Sequence, residues 1–271
     1  MIRATVTSFA LSFMLIATPG GARHDESDPM GLTAETVLTS TSLANLSFAE
    51  KKLAFEDHVQ EVYSRTGLQK AGLSYSVFER AYTGYHNFKQ DELTAADKQI
   101  LTVVDFTKPS NQKRMWIIDL AASKVLYNNL VAHGRNTGNV KAEKFSNEPN
   151  SNMSSMGFYL TDKTYYGKHG LSLRLSGMDE QYNSKAMERA IVLHGADYVS
   201  EDFVKQYGRL GRSLGCPAVP RAISGDVIEL IKNNTVLYIH SADKAYTSDY
   251  LNVERAVEGF ASLQDMLPTN A

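Results

Sequence analysis

The chain has 271 residues, of which 43% are hydrophobic and 21% are charged, and its formal net charge at pH 7 is −2. This length and composition are typical of a soluble globular protein with one or two domains and enough chain to bury a full core. The near-neutral charge argues against nucleic acid or an anionic membrane surface as the main partner.

Residues 1–22 have the pattern of a secretory signal peptide. Arg3 is the only charged residue before Arg23, the segment from Phe9 to Ala17 is mostly apolar, and small residues follow it. This apolar stretch is shorter than the roughly 20 residues that a membrane-spanning helix needs. We therefore expect cleavage near Ala22 and an exported protein that is periplasmic or associated with the cell wall. The alternative is an uncleaved N-terminal anchor.

The next two segments are predicted to be a linker and a helical region. Residues 23–46 are rich in Asp, Ser, Thr and Gly, which is typical of a linker. Residues 47–98 form an N-terminal helical segment, in which the spacing of apolar residues predicts a first helix over 47–65 and a second helix capped by Ser76.

Residues 99–244 are predicted to form the main domain, followed by a C-terminal tail over 245–271 that is partly helical and peripheral. β-branched and apolar runs between turn residues predict strands over 100–106, 114–120, 125–131, 157–161, 171–175, 191–194 and 236–240. Helices are expected over 201–207, capped by Ser200, and over 222–232. Residues 134–156 form a long connection, which is often functional, and residues 165–170 are expected to be a loop.

The only cysteine, Cys216, lies in a run of residues, 209–220, that holds two glycines and two prolines. Such a run cannot continue a helix or a central strand, because Pro lacks a backbone donor and Gly loses the most entropy. It predicts a rigid loop that presents one sulfur. A single cysteine in an exported domain has no intrachain disulfide, so its thiol is either buried and inert or reactive. The flanking arginines favour a reactive thiol.

The candidate base for this thiol is His194, which ends a short apolar run. A thiol is a weak nucleophile until a base takes its proton, and an imidazole with a pKa of about 6.5 suits that task. The two residues are far apart in the sequence, so the fold must bring them together. The backbone amides of Leu214, Gly215 and Cys216 are candidate donors to a tetrahedral oxyanion, where Gly215 permits close approach.

These motifs resemble the catalytic signature of the murein L,D-transpeptidases of the YkuD-like superfamily. That signature is a His-Gly at a strand end followed by Ser/Thr-x-Gly-Cys, and the matching residues are His194-Gly195 and Ser213-Leu214-Gly215-Cys216. The strings over 131–138, 145–147, 165–170, 194–200 and 209–220 are similar to one branch, the murein L,D-transpeptidase catalytic-domain proteins. The resemblance covers roughly half of the chain. Papain-like cell-wall hydrolases differ, because they place the cysteine before the histidine.

The resemblance implies a mainly β fold with some helix, namely a twisted β-sandwich or barrel-like core with peripheral helices. It implies a cysteine-dependent transpeptidase, without metal or cofactor, that attacks an L,D peptide bond of a peptidoglycan stem peptide. A thioester acyl-enzyme forms, and its acyl group is then transferred to an amine of a second stem peptide. The resemblance also implies that the Gly195 carbonyl orients His194 and that carbapenems inhibit covalently. We expect a monomer that does not bind nucleic acid.

The chain departs from the superfamily motif at two positions. Leu214 stands where a second histidine is usual, and Pro217-Ala218 stands where Val/Ile-Arg is usual. The substitutes that we consider for the histidine are His133 and His169. Those for the arginine are Arg174, Arg209 and Arg212, because arginine can hold stem-peptide carboxylates bidentately. The predicted substrate-binding residues are His133, Arg135, Tyr166, Lys168, His169, Arg174, Arg209 and Arg212. For each arginine a solvated surface charge is the alternative, and Tyr165, Tyr166 and Tyr198 either line the cleft or pack in the interior.

The sequence leaves three other functions open. With water as the acceptor, the same cysteine and histidine would give an L,D-carboxypeptidase or amidase. His133, His169 and His194 each precede a glycine and are the candidate ligands of a zinc-dependent amidase, although no His-Glu-x-x-His motif is present. A non-catalytic wall-binding module is the third possibility.

Overall fold

A computed structural model describes residues 42–265 of the chain. The predicted signal peptide, most of the predicted linker and the end of the predicted tail lie outside the described residues. Within the described range no helix is both long enough and apolar enough to cross a lipid bilayer.

The described residues form eight strands and five α-helices, with two short 3-10 helices at Leu43–Asn45 and Asp249–Leu251. The strands are β1 (Ile100–Asp105), β2 (Met115–Asp119), β3 (Lys124–Asn129), β4 (Gly157–Gly167), β5 (Gly170–Gly177), β6 (Val192–Ala196), β7 (Ala218–Pro220) and β8 (Val236–His240). The α-helices are α1 (Phe48–Arg65), α2 (Tyr75–Gln90), α3 (Glu201–Tyr207), α4 (Arg221–Ile231) and α5 (Val253–Asp265).

All eight strands belong to one mixed sheet in the order β3-β2-β1-β8-β4-β5-β6-β7. β8 inserts between β1 and β4 and runs parallel to β1, and β6 and β7 are also parallel, whereas the other pairs are antiparallel. Ala132, just after β3, pairs with Ala218 of β7 and so joins the two edges of the sheet. The result is a nearly closed barrel with peripheral helices, which confirms the predicted fold class.

The interior of the barrel is built from the central strands. β1 is buried along its whole length, and Trp116 of β2 is fully buried and donates its indole N–H to the Ala71 carbonyl at 2.8 Å. α2 lies close to the sheet, because Gly84 has no side chain; an added Cβ there would lie 2.2 Å from the Phe158 ring. This packing fixes the sheet that carries the cleft described below.

α1, α2 and α5 form a helical layer. α1 begins with a cap in which Ser47 and Glu50 bond each other's backbone amides. The predicted Ser76 cap of the second helix is wrong, because α2 begins after Ser74 and Ser76 lies inside it. Phe260 of α5 is buried, and its ring lies 5.5 Å from the ring of Phe55 on α1. The part of the predicted tail that forms α5 therefore packs on the predicted N-terminal helical segment.

The loop predicted over residues 165–170 is wrong. β4 continues to Gly167 and β5 begins at Gly170, so that only Lys168 and His169 form the turn between the paired strands. The aromatic pair Tyr165-Tyr166 favours an extended strand, and this preference overrides the glycines on either side of the turn. The long hairpin carries its two turn residues to the mouth of the cleft.

Candidate active site

A cleft of about 610 Å³ brings together residues of the β4–β5 hairpin, β6 and the cysteine loop. Its lining includes both Cys216 and His194, which are far apart in the sequence. β6 pairs with β7 so that His194 is opposite Ala218, two residues beyond the cysteine. The residues that line the cleft are Tyr165, Gly167, Lys168, His169, Arg189, Ala190, Ile191, Val192, His194, Tyr198, Arg212, Ser213, Leu214 and Cys216.

The Cys216 sulfur is half-buried in this cleft. It accepts a hydrogen bond from the Val192 amide at 3.5 Å and lies 3.7 Å from the Ala190 carbonyl. Burial raises the pKa of the thiol above its ordinary value, whereas the Val192 amide and the charges of Arg189 and Lys168 act in the opposite direction. Because the raised pKa keeps the thiol protonated near neutral pH, nucleophilic attack requires a base.

Ser213 closes the cysteine loop on itself. Its hydroxyl donates to the Cys216 carbonyl at 2.6 Å and accepts from the Gly215 amide at 3.1 Å. Gly215 has a φ of +129°, and an added Cβ would lie 2.8 Å from the Met153 carbonyl oxygen, so this position requires glycine. The Gly215 amide therefore bonds within the loop, which corrects its assignment as an oxyanion donor. The candidates that remain are the Leu214 and Cys216 amides.

His194 is buried in β6, and one ring nitrogen is held by the backbone. Nδ1 lies 3.1 Å from the Gly195 carbonyl oxygen, which can only accept, so Nδ1 carries the proton and Nε2 has the free lone pair. Burial is the main effect that lowers the pKa of His194; His169, Arg221 and Lys168 lower it further, and the Gly195 carbonyl opposes this. The ring is thus neutral and basic at neutral pH.

His169 stacks on His194. The two ring centroids are 4.2 Å apart and the ring planes differ by 20°. The pairing of β5 with β6, in which Ser172 is opposite His194, brings the hairpin turn to this position. Burial and the charges of Lys168 and Arg221 lower the pKa of His169. A second histidine therefore lies in the cleft, although the motif residue Leu214 is not a histidine.

His133 does not reach the cleft, and its assignment to substrate binding is wrong. The side chain is fully buried, accepts from Arg114 Nη2 at 2.8 Å and faces the Gly138 carbonyl at 3.3 Å. Burial and the Arg114 charge lower its pKa to about 4. The three histidines proposed as zinc ligands are therefore not brought together, and the described residues contain no cluster of three or more His, Cys, Asp or Glu suited to a metal.

Of the remaining predicted substrate-binding residues, Lys168 and Arg212 line the cleft, and Arg212 Nη1 donates to the Gly138 carbonyl at 3.1 Å. The other four, Arg135, Tyr166, Arg174 and Arg209, do not line it. Side chains alternate along a strand, so Tyr165 lines the cleft and its neighbour Tyr166 does not.

Arg174 illustrates the same alternation on β5. It is exposed between the buried Leu173 and Leu175, and its guanidinium lies 4.9 Å from the centre of the Tyr165 ring. Arg209 instead donates to the neighbouring Leu210 carbonyl at 2.7 Å. Arg174 thus contacts a ring that lines the cleft, whereas Arg209 bonds the backbone of its own loop.

Arg189 lines the cleft but was not predicted. It precedes β6 at the end of a polar stretch in which no residue type or spacing indicates a site. Its guanidinium donates to the carbonyls of Ser146 and Met153, each at 2.6 Å. The only sequence signal is a long cationic side chain placed just before β6, the strand that carries His194.

The cleft lies within a recognised domain. A family model described as the L,D-transpeptidase catalytic domain matches residues 69–240, a range that runs from before α2 to the end of β8. No curated protein matches the chain.

Several solved structures are also similar, each with 11% sequence identity. An L,D-transpeptidase from Mycobacterium smegmatis has a TM-score of 0.34 and is matched over 53% of this chain and 59% of its own. An L,D-transpeptidase from Xylanimonas cellulosilytica has a TM-score of 0.32, with coverages of 54% and 63%. The helical cell shape determining protein Pgp2 (K307A mutant) from Campylobacter jejuni has a TM-score of 0.35, with coverages of 68% and 64%. The chain thus spans less than two thirds of the length of each structure. Because the family model covers more than half of this sequence, the protein belongs to the L,D-transpeptidase catalytic domain family.

Proposed function

We propose that this protein is a peptidoglycan L,D-transpeptidase in which Cys216 is the nucleophile and His194 is its base. The observation that supports this most directly is their shared cleft, in which the chain's only cysteine and a backbone-oriented neutral histidine are both present. A base whose second nitrogen is fixed by a third group is the usual arrangement for activating a nucleophile.

In the proposed acylation, Nε2 of His194 takes the thiol proton and the sulfur attacks the carbonyl carbon of an L,D peptide bond. The oxyanion forms beside the loop that carries the Leu214 and Cys216 amides. When the C–N bond breaks, the proton on His194 passes to the departing amine and a thioester remains. An amine of a second stem peptide then attacks the thioester, gives a proton to His194 and releases the cysteine, which regains that proton.

The charge of the cleft supports an anionic donor peptide. Lys168 in the hairpin turn and Arg212 in the cysteine loop both line it, together with Arg189, and none of the described lining residues is acidic. Stem peptides carry carboxylates, which cationic side chains bind well in a partly desolvated cleft. We propose Lys168 and Arg212 as the residues that hold them.

Peptidoglycan lies outside the cytoplasmic membrane, so we also propose that the protein is exported. A mature N-terminus near Arg23 in protein isolated from the cell envelope would support this. Retention of residues 1–22 would instead favour the uncleaved anchor.

The test is covalent labelling followed by product analysis. Incubation with a carbapenem should add the mass of one inhibitor to the protein, and this adduct should be absent in Cys216→Ala. With purified muropeptides, the wild-type protein should form cross-linked dimers. Trimmed monomers without cross-links would contradict transfer to an amine and favour water as the acceptor. Turnover that persists in Cys216→Ala would overturn the cysteine mechanism.

A further inference from the structure

The guanidinium of Arg189 holds four groups of one segment, residues 146–155. Besides the carbonyls of Ser146 and Met153, it donates to the hydroxyls of Ser155 and Ser151. The side chain is half-buried in the cleft wall. The guanidinium group is planar and pre-organised, so the arginine side chain loses little conformational entropy for each hydrogen bond that it forms. A guanidinium that donates to four acceptors in one segment is therefore well suited to hold that segment in place.

The same segment forms the support for the cysteine loop. Ser154 donates its hydroxyl to the Gly215 carbonyl at 3.1 Å and accepts the Gly134 amide at 3.0 Å. A Cβ added to Gly215 would lie 2.8 Å from the Met153 carbonyl oxygen and 3.3 Å from Arg189 Nη2. Arg189, the segment and the residue before Cys216 are therefore packed together.

Arg189 also acts on the sulfur through its charge. Its effect on the pKa of the Cys216 thiol opposes that of burial, and a nearby positive charge favours the thiolate. A guanidinium keeps its charge at any pH at which the protein would work. The other titratable or charged side chains lining the cleft with the sulfur are Tyr165, Lys168, His169, His194, Tyr198 and Arg212.

We propose that Arg189 is a positioning residue for Cys216. It holds residues 146–155 against the cysteine loop, and its guanidinium supplies a fixed positive charge to the cleft wall that it shares with Cys216. This inference rests on the proposed role of Cys216 as the nucleophile.

The experiment measures the alkylation of Cys216 by iodoacetamide in the full chain, in which Cys216 is the only thiol. The alkylation rate is measured against pH for the wild type and for Arg189→Met, Arg189→Gln and Arg189→Lys. The apparent pKa of the thiol should rise in Arg189→Met and Arg189→Gln, with alkylation at pH 7 about 3- to 10-fold slower. Arg189→Lys, which keeps the charge, should recover most of the rate.

The matched control is Arg65→Met, which removes an exposed arginine on α1 and should leave the pH profile unchanged. Arg189→Gln retains hydrogen-bond donors and therefore serves if Arg189→Met does not fold. A folded Arg189→Met or Arg189→Gln variant with the wild-type pH profile would overturn the proposal. Alkylation by iodoacetamide requires neither a cell-wall substrate nor a carbapenem. The test of Arg189 can therefore fail or succeed independently of the test of the proposed function. If the pH profile of alkylation is unchanged but a Cys216-dependent carbapenem adduct still forms, the positioning role of Arg189 is contradicted and the proposed transpeptidase reaction is not.

Discussion

At the scale of single residues, the two nitrogens of His194 face different partners. Nδ1 bonds the Gly195 carbonyl, which leaves Nε2 as the nitrogen available to a thiol. A loss of this ring removes a general base without leaving a buried charge, since the lowered pKa keeps the imidazole neutral. The side chain should therefore matter far more for reactivity than for folding.

We predict that His194→Ala folds but is acylated by a carbapenem about 10²–10⁴-fold more slowly than the wild type, the usual contribution of a general base. The rate of adduct formation is measured by intact mass, and folding is checked by circular dichroism. Acylation at a near-normal rate would remove His194 from the role of base.

The wild-type acylation rate should also depend on pH in a defined direction. The basic form of His194 is the neutral one, and its pKa lies below the ordinary value of 6.5. The rate should therefore be retained as the pH falls to that ordinary value and be lost at lower pH. Loss centred above pH 6.5 would contradict the assigned environment of the ring.

At the scale of elements, α5 shows how a terminal helix contributes to the fold. Ala256, Val257, Phe260 and Ala261 are buried, and the helix also carries Glu258, which pairs with Lys51 of α1 at 2.8 Å. Burial of the Phe260 ring is the larger effect, because Glu258 is half-exposed and an ion pair that solvent can reach contributes at most about 1 kcal/mol.

Phe260→Ala should lower the free energy of unfolding by about 3 kcal/mol, the cost of removing a buried phenylalanine ring. Phe48→Ala is the matched control, since Phe48 is 41% exposed, and it should cost clearly less. Urea denaturation of both variants gives the comparison. Equal small losses would show that α5 contributes little to the packing of the helical layer.

At the scale of the whole molecule, two buried histidines link stability to pH. Burial lowers the pKa of His86 to about 3 and that of His133 to about 4, whereas the ordinary value for histidine is 6.5. As the pH falls below that value, the unfolded chain takes up protons that the folded chain does not. Acid therefore stabilises the unfolded state, and stability is progressively lost from about pH 6.5 towards pH 4.

His86→Phe should reduce this loss. Neither ring nitrogen of His86 has a hydrogen-bond partner among the described residues, and the rings of Phe55, Tyr82 and Phe260 lie within 5.9 Å of it. The variant removes two unpaired polar atoms and one titrating group, so the difference in melting temperature between pH 7.5 and pH 5 should be smaller than in the wild type. An unchanged difference would mean that His86 is protonated without unfolding.

Much of the architecture follows from local patterns in the sequence. The apolar spacing of α1, the Ser200 cap of α3 and the apolar runs of β1, β2 and β8 act over a few residues, and the structure places those elements where the patterns predict them. The extension of β4 and β5 into residues 165–170 was missed because the aromatic residues there favour a strand and the glycines favour a turn. Local patterns cannot decide which of the two prevails.

The sequence by itself determined the family, the fold class and the choice of Cys216 and His194 as the residues to test. Only the tertiary structure decided that His133 is enclosed with Arg114, that His169 stacks on His194, and that Arg189 joins residues 146–155 to the cysteine loop. The physical reason is distance along the chain. Capping, periodicity and turn chemistry operate between near neighbours, whereas these contacts arise from strand pairing and burial among segments that meet only in the folded barrel.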